Sequence, residues 1–210
     1  MLLGDLLKSI KKDYREIYVE GISFDSRKVK KNDIFFAIKG NKTSGKKFIR
    51  DAISNGASVI VSGKNLENKK YKVPLIYVKD VRKSLTEACS NLYKRKPSNI
   101  IAITGTNGKS SVANFFYQIL NFKKIPVASI GTLGIFSKNY NKKTNLTSLD
   151  PLMLHKTLQI LAIKKIKNVI LEASSHGLKQ HRLDGIKFDI GLFTNFSRDH
   201  LDYHLSLIHI

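Results

Sequence analysis

The chain has 210 residues, about one and a half typical domains, with 42% hydrophobic and 25% charged side chains. That balance supports a packed core and excludes a disordered or collagen-like chain, and no apolar run reaches the roughly 18 residues that would cross a bilayer. A net charge of +21 favours anionic partners, but only seven of the 37 basic residues are Arg and the lysines are spread from Lys8 to Lys187, so a solvated surface and small polyanionic substrates are expected rather than nucleic acid. In chain order, residues 2–15 carry apolar positions at Leu2, Leu3, Leu6, Leu7 and Ile10, which predicts a helix. Residues 17–24 and 33–38 read as strands, and 45–55 as a helix closed by Gly56. Residues 58–62 and 74–78 are short β-rich runs, and 81–94 read as a helix holding the lone Cys89, expected to be a small buried apolar group. The Lys96–Pro97 step ends that helix, and we place a domain boundary there, giving domains 1–97 and 98–204.

The second domain alternates apolar strands with helices. Residues 99–104, 126–130, 168–171 and 188–194 are predicted strands; 109–120 and 151–163 are predicted helices, the latter capped by Asp150. Residues 138–143 are expected to form a surface loop. This pattern predicts an α/β fold with a parallel sheet covered on both faces.

Between the first strand and helix of this domain lies TGTNGKSS, from Thr104 to Ser111. Gly105 and Gly108 let the backbone turn so that amides, including those of Thr106 and Asn107, point inward at phosphate oxygens. The helix start adds its positive dipole end. Lys109 would neutralise the β- and γ-phosphates of a nucleotide, and the Ser110 hydroxyl would meet Mg²⁺, with Ser111 completing the turn. The longer pattern GxxxxGK[ST] is not met, because its first glycine would fall on Ile103.

This shortened loop resembles that of the Mur ligases, ATP-dependent enzymes that add amino acids to the peptidoglycan precursor. The loop alone would also admit folylpolyglutamate and cyanophycin synthetases. Three further segments narrow the choice: FDSRKV from Phe24 with DIFFAIKG from Asp33, LEASSHGLKQHR from Leu171, and TNFSRDHLDYH from Thr194. Together they resemble the MurE type, which extends UDP-N-acetylmuramoyl-L-alanyl-D-glutamate. The resemblance covers residues 20–204 and implies a small N-terminal α/β nucleotide-sugar domain, then an incomplete P-loop-type ATPase domain. It implies cytoplasmic action, as a single subunit, on ATP, a UDP-muramoyl-dipeptide and an amino acid, with Mg²⁺ as cofactor and no nucleic-acid partner or membrane insertion.

Residue by residue, the resemblance implies catalytic roles for Lys109, Glu172 and His200, with Ser110, Glu172 and His200 toward metal. Asn195 and Asp199 would shape the turn that carries His200. Ser26, Thr147, Ser148, Ser174, Gln180 and Arg182 would contact the UDP-muramoyl-dipeptide, with Phe24 packing near the nucleotide. Asn41 to Thr43 stand where the family has a His-Gln pair, and Leu146 where it often has Asn. The chemistry fits these residue types. A carboxylate is a poor electrophile, so ATP first makes it an acyl phosphate, and both steps build negative charge that needs fixed positive groups. Structural alternatives stand beside these roles: helix capping for Glu172 and the Thr147–Ser148 pair, an ion pair for Arg182, a structural hydrogen bond for His200. A non-enzymatic nucleotide-binding module and a ligase of the folylpolyglutamate type remain alternatives for the whole.

The resemblance also implies a longer protein. The lysine that the family carbamylates, and a third domain that selects the incoming amino acid, lie outside these residues. The six residues from Leu205 match the reading frame CTG TCT CTT ATA CAC ATC, a transposon end used in sequencing libraries, and are expected to be non-native. A sheet without its later strands is expected to expose an edge and an apolar face, and residues 1–210 alone are expected to express poorly and show no ligase turnover.

Overall fold

A computed structural model describes residues 1–40, 43–63, 71–144, 146–198, 201–206 and 208, with the backbone alone for Leu201 and Asp202. Expectations that fall on Asn41, Lys42, Asp199, His200, Leu207, His209 and Ile210 lie outside the described residues. The chain divides into two compact units, Met1–Leu92 and Tyr93–Ile210.

In the first unit the elements are α1 (Leu3–Leu6), α2 (Lys12–Arg15), β1 (Gly21–Ser23), β2 (Asp33–Phe36), α3 (Ile49–Ser54), β3 (Ala57–Ser62), β4 (Leu75–Tyr77) and α4 (Val81–Leu92). The strands form one parallel sheet in the order β1-β2-β3-β4. All four residues of β2 are buried and β3 is nearly so, because helices cover a parallel sheet. Phe35, Ala37, Ile49, Ala52 and Ile60 make one of its cores. Cys89 is buried in α4, as expected.

The helix expected over residues 2–15 is instead two short helices. The amide of Leu3 donates to Ile17 O at 2.8 Å and that of Val19 to Met1 O at 2.9 Å, so the chain start pairs with the segment beyond Arg15. The two helices pass so closely at Gly4 that a Cβ there would lie 2.9 Å from Arg15 Cβ. Folding back still buries Leu3, Leu6, Leu7 and Ile10, so the apolar spacing is satisfied without a continuous helix. The strand expected over 17–24 contracts to β1, and the helix expected over 45–55 begins as a 3₁₀ turn, Gly45–Phe48, before α3.

The second unit holds β5 (Asn99–Thr104), α5 (Lys109–Phe122), β6 (Val127–Gly131), β7 (Gly134–Ser137), α6 (Pro151–Ile163), β8 (Asn168–Glu172), α7 (Ser175–Lys179), β9 (Ile190–Phe193) and α8 (Leu201–His204). The sheet order is β7-β6-β8-β5-β9. All neighbours run parallel except β6 and β7, a hairpin the sequence reading missed. Strand alternation sends Ile100, Val169 and Leu171 to one face, against Leu154, Leu158 and Leu161 of α6. Ile101, Ile103 and Ile170 go to the other, against Ala113 and Phe116 of α5. The Asp150 carboxylate accepts from the Met153 amide at 2.8 Å, the expected cap of α6.

Cover is incomplete at the β9 edge and on the outer side of α5. All four residues of β9 are exposed, and α5 presents Val112, Phe115, Ile119 and Phe122 to solvent, with Phe122 88% accessible. Exposed apolar groups of this size promote association. Replacing Phe115 and Phe122 by Ser is therefore expected to lower binding of anilinonaphthalene sulfonate and slow the growth of light scattering, with unchanged far-ultraviolet circular dichroism.

His155 sits inside the α6 core with no accessible surface. Burial holds its pKa down to about 4, the Lys96 charge acts in the same direction, and the Asp184 backbone opposes them. The unfolded chain takes up this proton near pH 6.5 and the folded chain only near pH 4, so stability is full above about 6.5 and is lost as pH falls through that window. The loss between pH 7 and pH 4 is about 3 kcal/mol. Urea unfolding at the two pH values is expected to show this increment in the native sequence and to lack it in His155→Leu.

Candidate active site

The strands β5, β6 and β8 run parallel, so their carboxyl ends share one edge of the sheet, where open α/β sheets place ligands. The Gly105–Gly108 turn leaves β5 at that edge and leads into α5. Gly105 has φ +130° and Gly108 φ +86°, both in the region that L side chains rarely adopt. Gly108 is the N-cap of α5 and has no side chain to cap the first amides, which among the described residues stay available to an anion. The Lys109 ammonium donates to Gly105 O at 2.6 Å and Thr106 O at 2.8 Å, folded back across the turn.

The segment beyond β9 stitches the turn in place. Asn195 Oδ1 accepts from the Asn107 amide at 2.9 Å, and its Nδ2 donates to Asn107 O at 3.0 Å. The Thr194 hydroxyl donates to Asn107 O at 2.6 Å, and the Ser197 amide to Thr106 Oγ1 at 2.9 Å. Asn195, expected at the turn that carries His200, instead braces the Gly105–Gly108 turn through Asn107.

Glu172, the last residue of β8, is 3% exposed. Its Oε2 accepts from the Ser110 hydroxyl at 3.0 Å and from the Thr132 hydroxyl at 3.0 Å, and Oε1 accepts from the Thr132 amide at 3.0 Å. Thr132 Oγ1 lies 3.0 Å from Thr147 Oγ1. Thr106, Asn107, Gly108, Lys109, Ser110, Ser111, Thr132, Thr147 and Glu172 line one cavity of about 250 Å³.

A second cluster adjoins it. The buried Ser148 hydroxyl donates to Glu172 O at 2.9 Å and accepts from the Ser174 amide at 2.8 Å. Ser174 Oγ caps α7 by accepting from the Gly177 amide at 3.1 Å. Arg182 donates through Nη1 to Ser148 O at 2.7 Å and through Nη2 to Gln180 Oε1 at 2.7 Å, and Gln180 Nε2 donates to the Tyr203 hydroxyl at 3.2 Å. Thr147, Ser148, Ser174, Gln180 and Arg182 therefore gather on the flank of Glu172, with Thr147 reaching the cavity and Ser148 held inside the fold. Ser26 belongs to the other unit; it is buried in the turn after β1, where its carbonyl accepts from Asn55 Nδ2 at 2.9 Å. Half-buried Phe24 precedes it, and Thr43 O accepts from the Gly40 amide at 2.9 Å.

The sequence reading missed Thr132. Its signal was present: Gly131-Thr-Leu-Gly134 between two apolar runs is a two-residue hairpin turn. The turn sits beside the carboxyl end of β8 because β6 pairs with β8.

Among the described residues no three His, Cys, Asp or Glu side chains cluster as a metal cage. One carboxylate and one hydroxyl, both oxygen donors, suit a cation that takes its remaining ligands from phosphate and water, as Mg²⁺ does. No helix of the described residues is long and apolar enough to cross a membrane.

Two family models match the chain: "Mur ligase family, catalytic domain" over residues 18–93 and "Mur ligase middle domain" over residues 103–210. The chain is 42% identical over 192 residues to a UDP-N-acetylmuramoyl-L-alanyl-D-glutamate--2,6-diaminopimelate ligase of Brucella melitensis biotype 1, covering 91% of this chain and 39% of that protein. Against the protein of the same name in Rickettsia conorii it is 46% identical over 202 residues, covering 93% and 41%. A solved structure of a UDP-N-acetylmuramoyl-L-alanyl-D-glutamate--2,6-diaminopimelate ligase superposes with TM-score 0.84 at 32% identity, covering all of this chain and 43% of that one. The MurF ligase of Thermotoga maritima, solved in complex with ADP, shares the fold at TM-score 0.61 and 21% identity, covering 91% of this chain and 41% of that one. The chain thus spans about two fifths of the length of these curated relatives.

Proposed function

Because this chain belongs to the Mur ligase family, matched over residues 103–210 and 18–93, we propose that it carries the nucleotide and acceptor machinery of an ATP-dependent ligase extending UDP-N-acetylmuramoyl-L-alanyl-D-glutamate. The observation that carries this reading is the convergence of Lys109, Ser110, Glu172 and Thr147 on one cavity at the carboxyl edge of the sheet. The names of the relatives support 2,6-diaminopimelate as the incoming amine. Work on ATP and a UDP-sugar belongs in the cytoplasm.

In this reading the amides of the Gly105–Gly108 turn and the start of α5 cradle the β- and γ-phosphates. Lys109 leaves the carbonyls of Gly105 and Thr106 for the phosphate oxygens, a stronger, charge-assisted contact. Ser110 and Glu172 would hold Mg²⁺, which when bound offsets the charge that builds on the transferred phosphoryl group. Thr147 orients the acceptor carboxylate facing the γ-phosphate. An acceptor oxygen bonds to the γ-phosphorus as its bond to ADP breaks; the amine nitrogen then bonds to the acyl carbon, phosphate leaves and the amine loses a proton. Arg182, braced by Gln180 and Ser148, keeps the flank of this site in one arrangement. Ser26 serves the uridine diphosphate from its own unit.

Isothermal titration with a non-hydrolysable ATP analogue in Mg²⁺, then with the UDP-muramoyl-dipeptide, tests the reading. Saturable binding of both is expected. Absence of nucleotide binding by folded protein would refute it.

A further inference from the structure

A carboxylate that is to hold a cation works best when it already stands in one orientation, and neighbouring groups set that orientation. Glu172 has three donors, and two of them belong to Thr132: its amide on Oε1 and its hydroxyl on Oε2, each at 3.0 Å. Contact with both oxygens from one residue fixes the plane of the carboxylate, which a single donor would leave free to turn.

The Thr132 hydroxyl has a second acceptor in reach, Thr147 Oγ1 at 3.0 Å, and the ionised Glu172 carboxylate is the stronger of the two acceptors for its one proton. The seat is closed on its other side by Gly131, where a Cβ would come within 2.0 Å of Glu172 Oε1. Resting on the reading that Ser110 and Glu172 hold the cation, we propose that Thr132 is a positioning residue that sets the Glu172 carboxylate for a divalent cation bound together with nucleotide.

The test is Mn²⁺ binding in the presence of ADP, followed by the electron paramagnetic resonance signal of free Mn²⁺, with circular dichroism and a melting curve for each variant. Thr132→Val keeps the shape and the amide but loses the hydroxyl, and is expected to weaken Mn²⁺ about tenfold. Thr132→Ser keeps the hydroxyl and is expected to stay within about threefold of the native affinity. ADP binding without metal is measured in each variant as the reference against which the Mn²⁺ loss is read. Native Mn²⁺ affinity in folded Thr132→Val would overturn the proposal. Equal losses in the Ser and Val variants would also overturn it, because the methyl group and its packing would then be responsible. If the native protein binds ADP but Glu172→Gln leaves Mn²⁺ affinity unchanged, the cation reading fails and the proposal with it. A native protein that binds no nucleotide at all refutes the proposed function instead.

Discussion

Lys109→Met is expected to weaken nucleotide binding by roughly 10- to 100-fold, since a contact between a cation and phosphate contributes about 1.5–3 kcal/mol beyond its neutral replacement. Among the described residues the Lys109 ammonium donates to the carbonyls of Gly105 and Thr106. Those are exchanged easily, so the melting temperature is expected to move little. Methionine keeps the length and the helix start, which isolates the charge. Titration of the variant with the ATP analogue checks it, and near-native affinity would remove Lys109 from the phosphate site.

A larger structural effect is expected from Gly105→Ala. Its φ of +130° lies where alanine is strongly disfavoured. A Cβ would also meet Thr194 Oγ1 at 2.1 Å and the Asn195 backbone oxygen at 2.9 Å, and that backbone is part of the brace on the turn. Strain and clash together are expected to cost about 3 kcal/mol, a fall of roughly 10 °C in melting temperature, with loss of nucleotide binding. Gly108→Ala meets only the side chain of Thr194, at 3.8 Å or more, and carries strain without a clash, so its effect is expected to be smaller. Gly191→Ala on β9 meets nothing within 4 Å and is expected to be nearly silent. If all three behaved alike, the tight seat of Gly105 against Thr194 and Asn195 would not be real.

The contrast between Lys109 and Thr132 shows what could be read before any coordinates. The glycine turn proposed to hold phosphate is a contiguous event: an apolar strand, two glycines, a lysine and a helix follow one another, so local chemistry is enough to recognise it. Glu172 was legible because it closes an apolar strand within a distinctive run. Thr132 meets Glu172 across 40 positions of sequence, and only the pairing of β6 with β8 brings them together. The clustering of Ser148, Ser174 and Arg182 has the same origin, and so has the burial of Ser148, which a list of polar residues does not reveal.

The chain start makes the point from the other side. Its apolar spacing over residues 2–15 was real, and all four of Leu3, Leu6, Leu7 and Ile10 are buried, yet the helix it suggested is broken. Periodicity reports which side chains seek a core; it does not report that Leu3 and Val19 find backbone partners across a fold-back. By itself the sequence determined the α/β class, the glycine turn between β5 and α5 and the strands that lead to that edge, because those depend on neighbours along the chain. The tertiary structure alone decided the broken first helix, the β6–β7 hairpin and the seat of Glu172, because hydrogen bonds between distant segments, and the register of the sheet, select among conformations that local propensity leaves nearly equal in free energy.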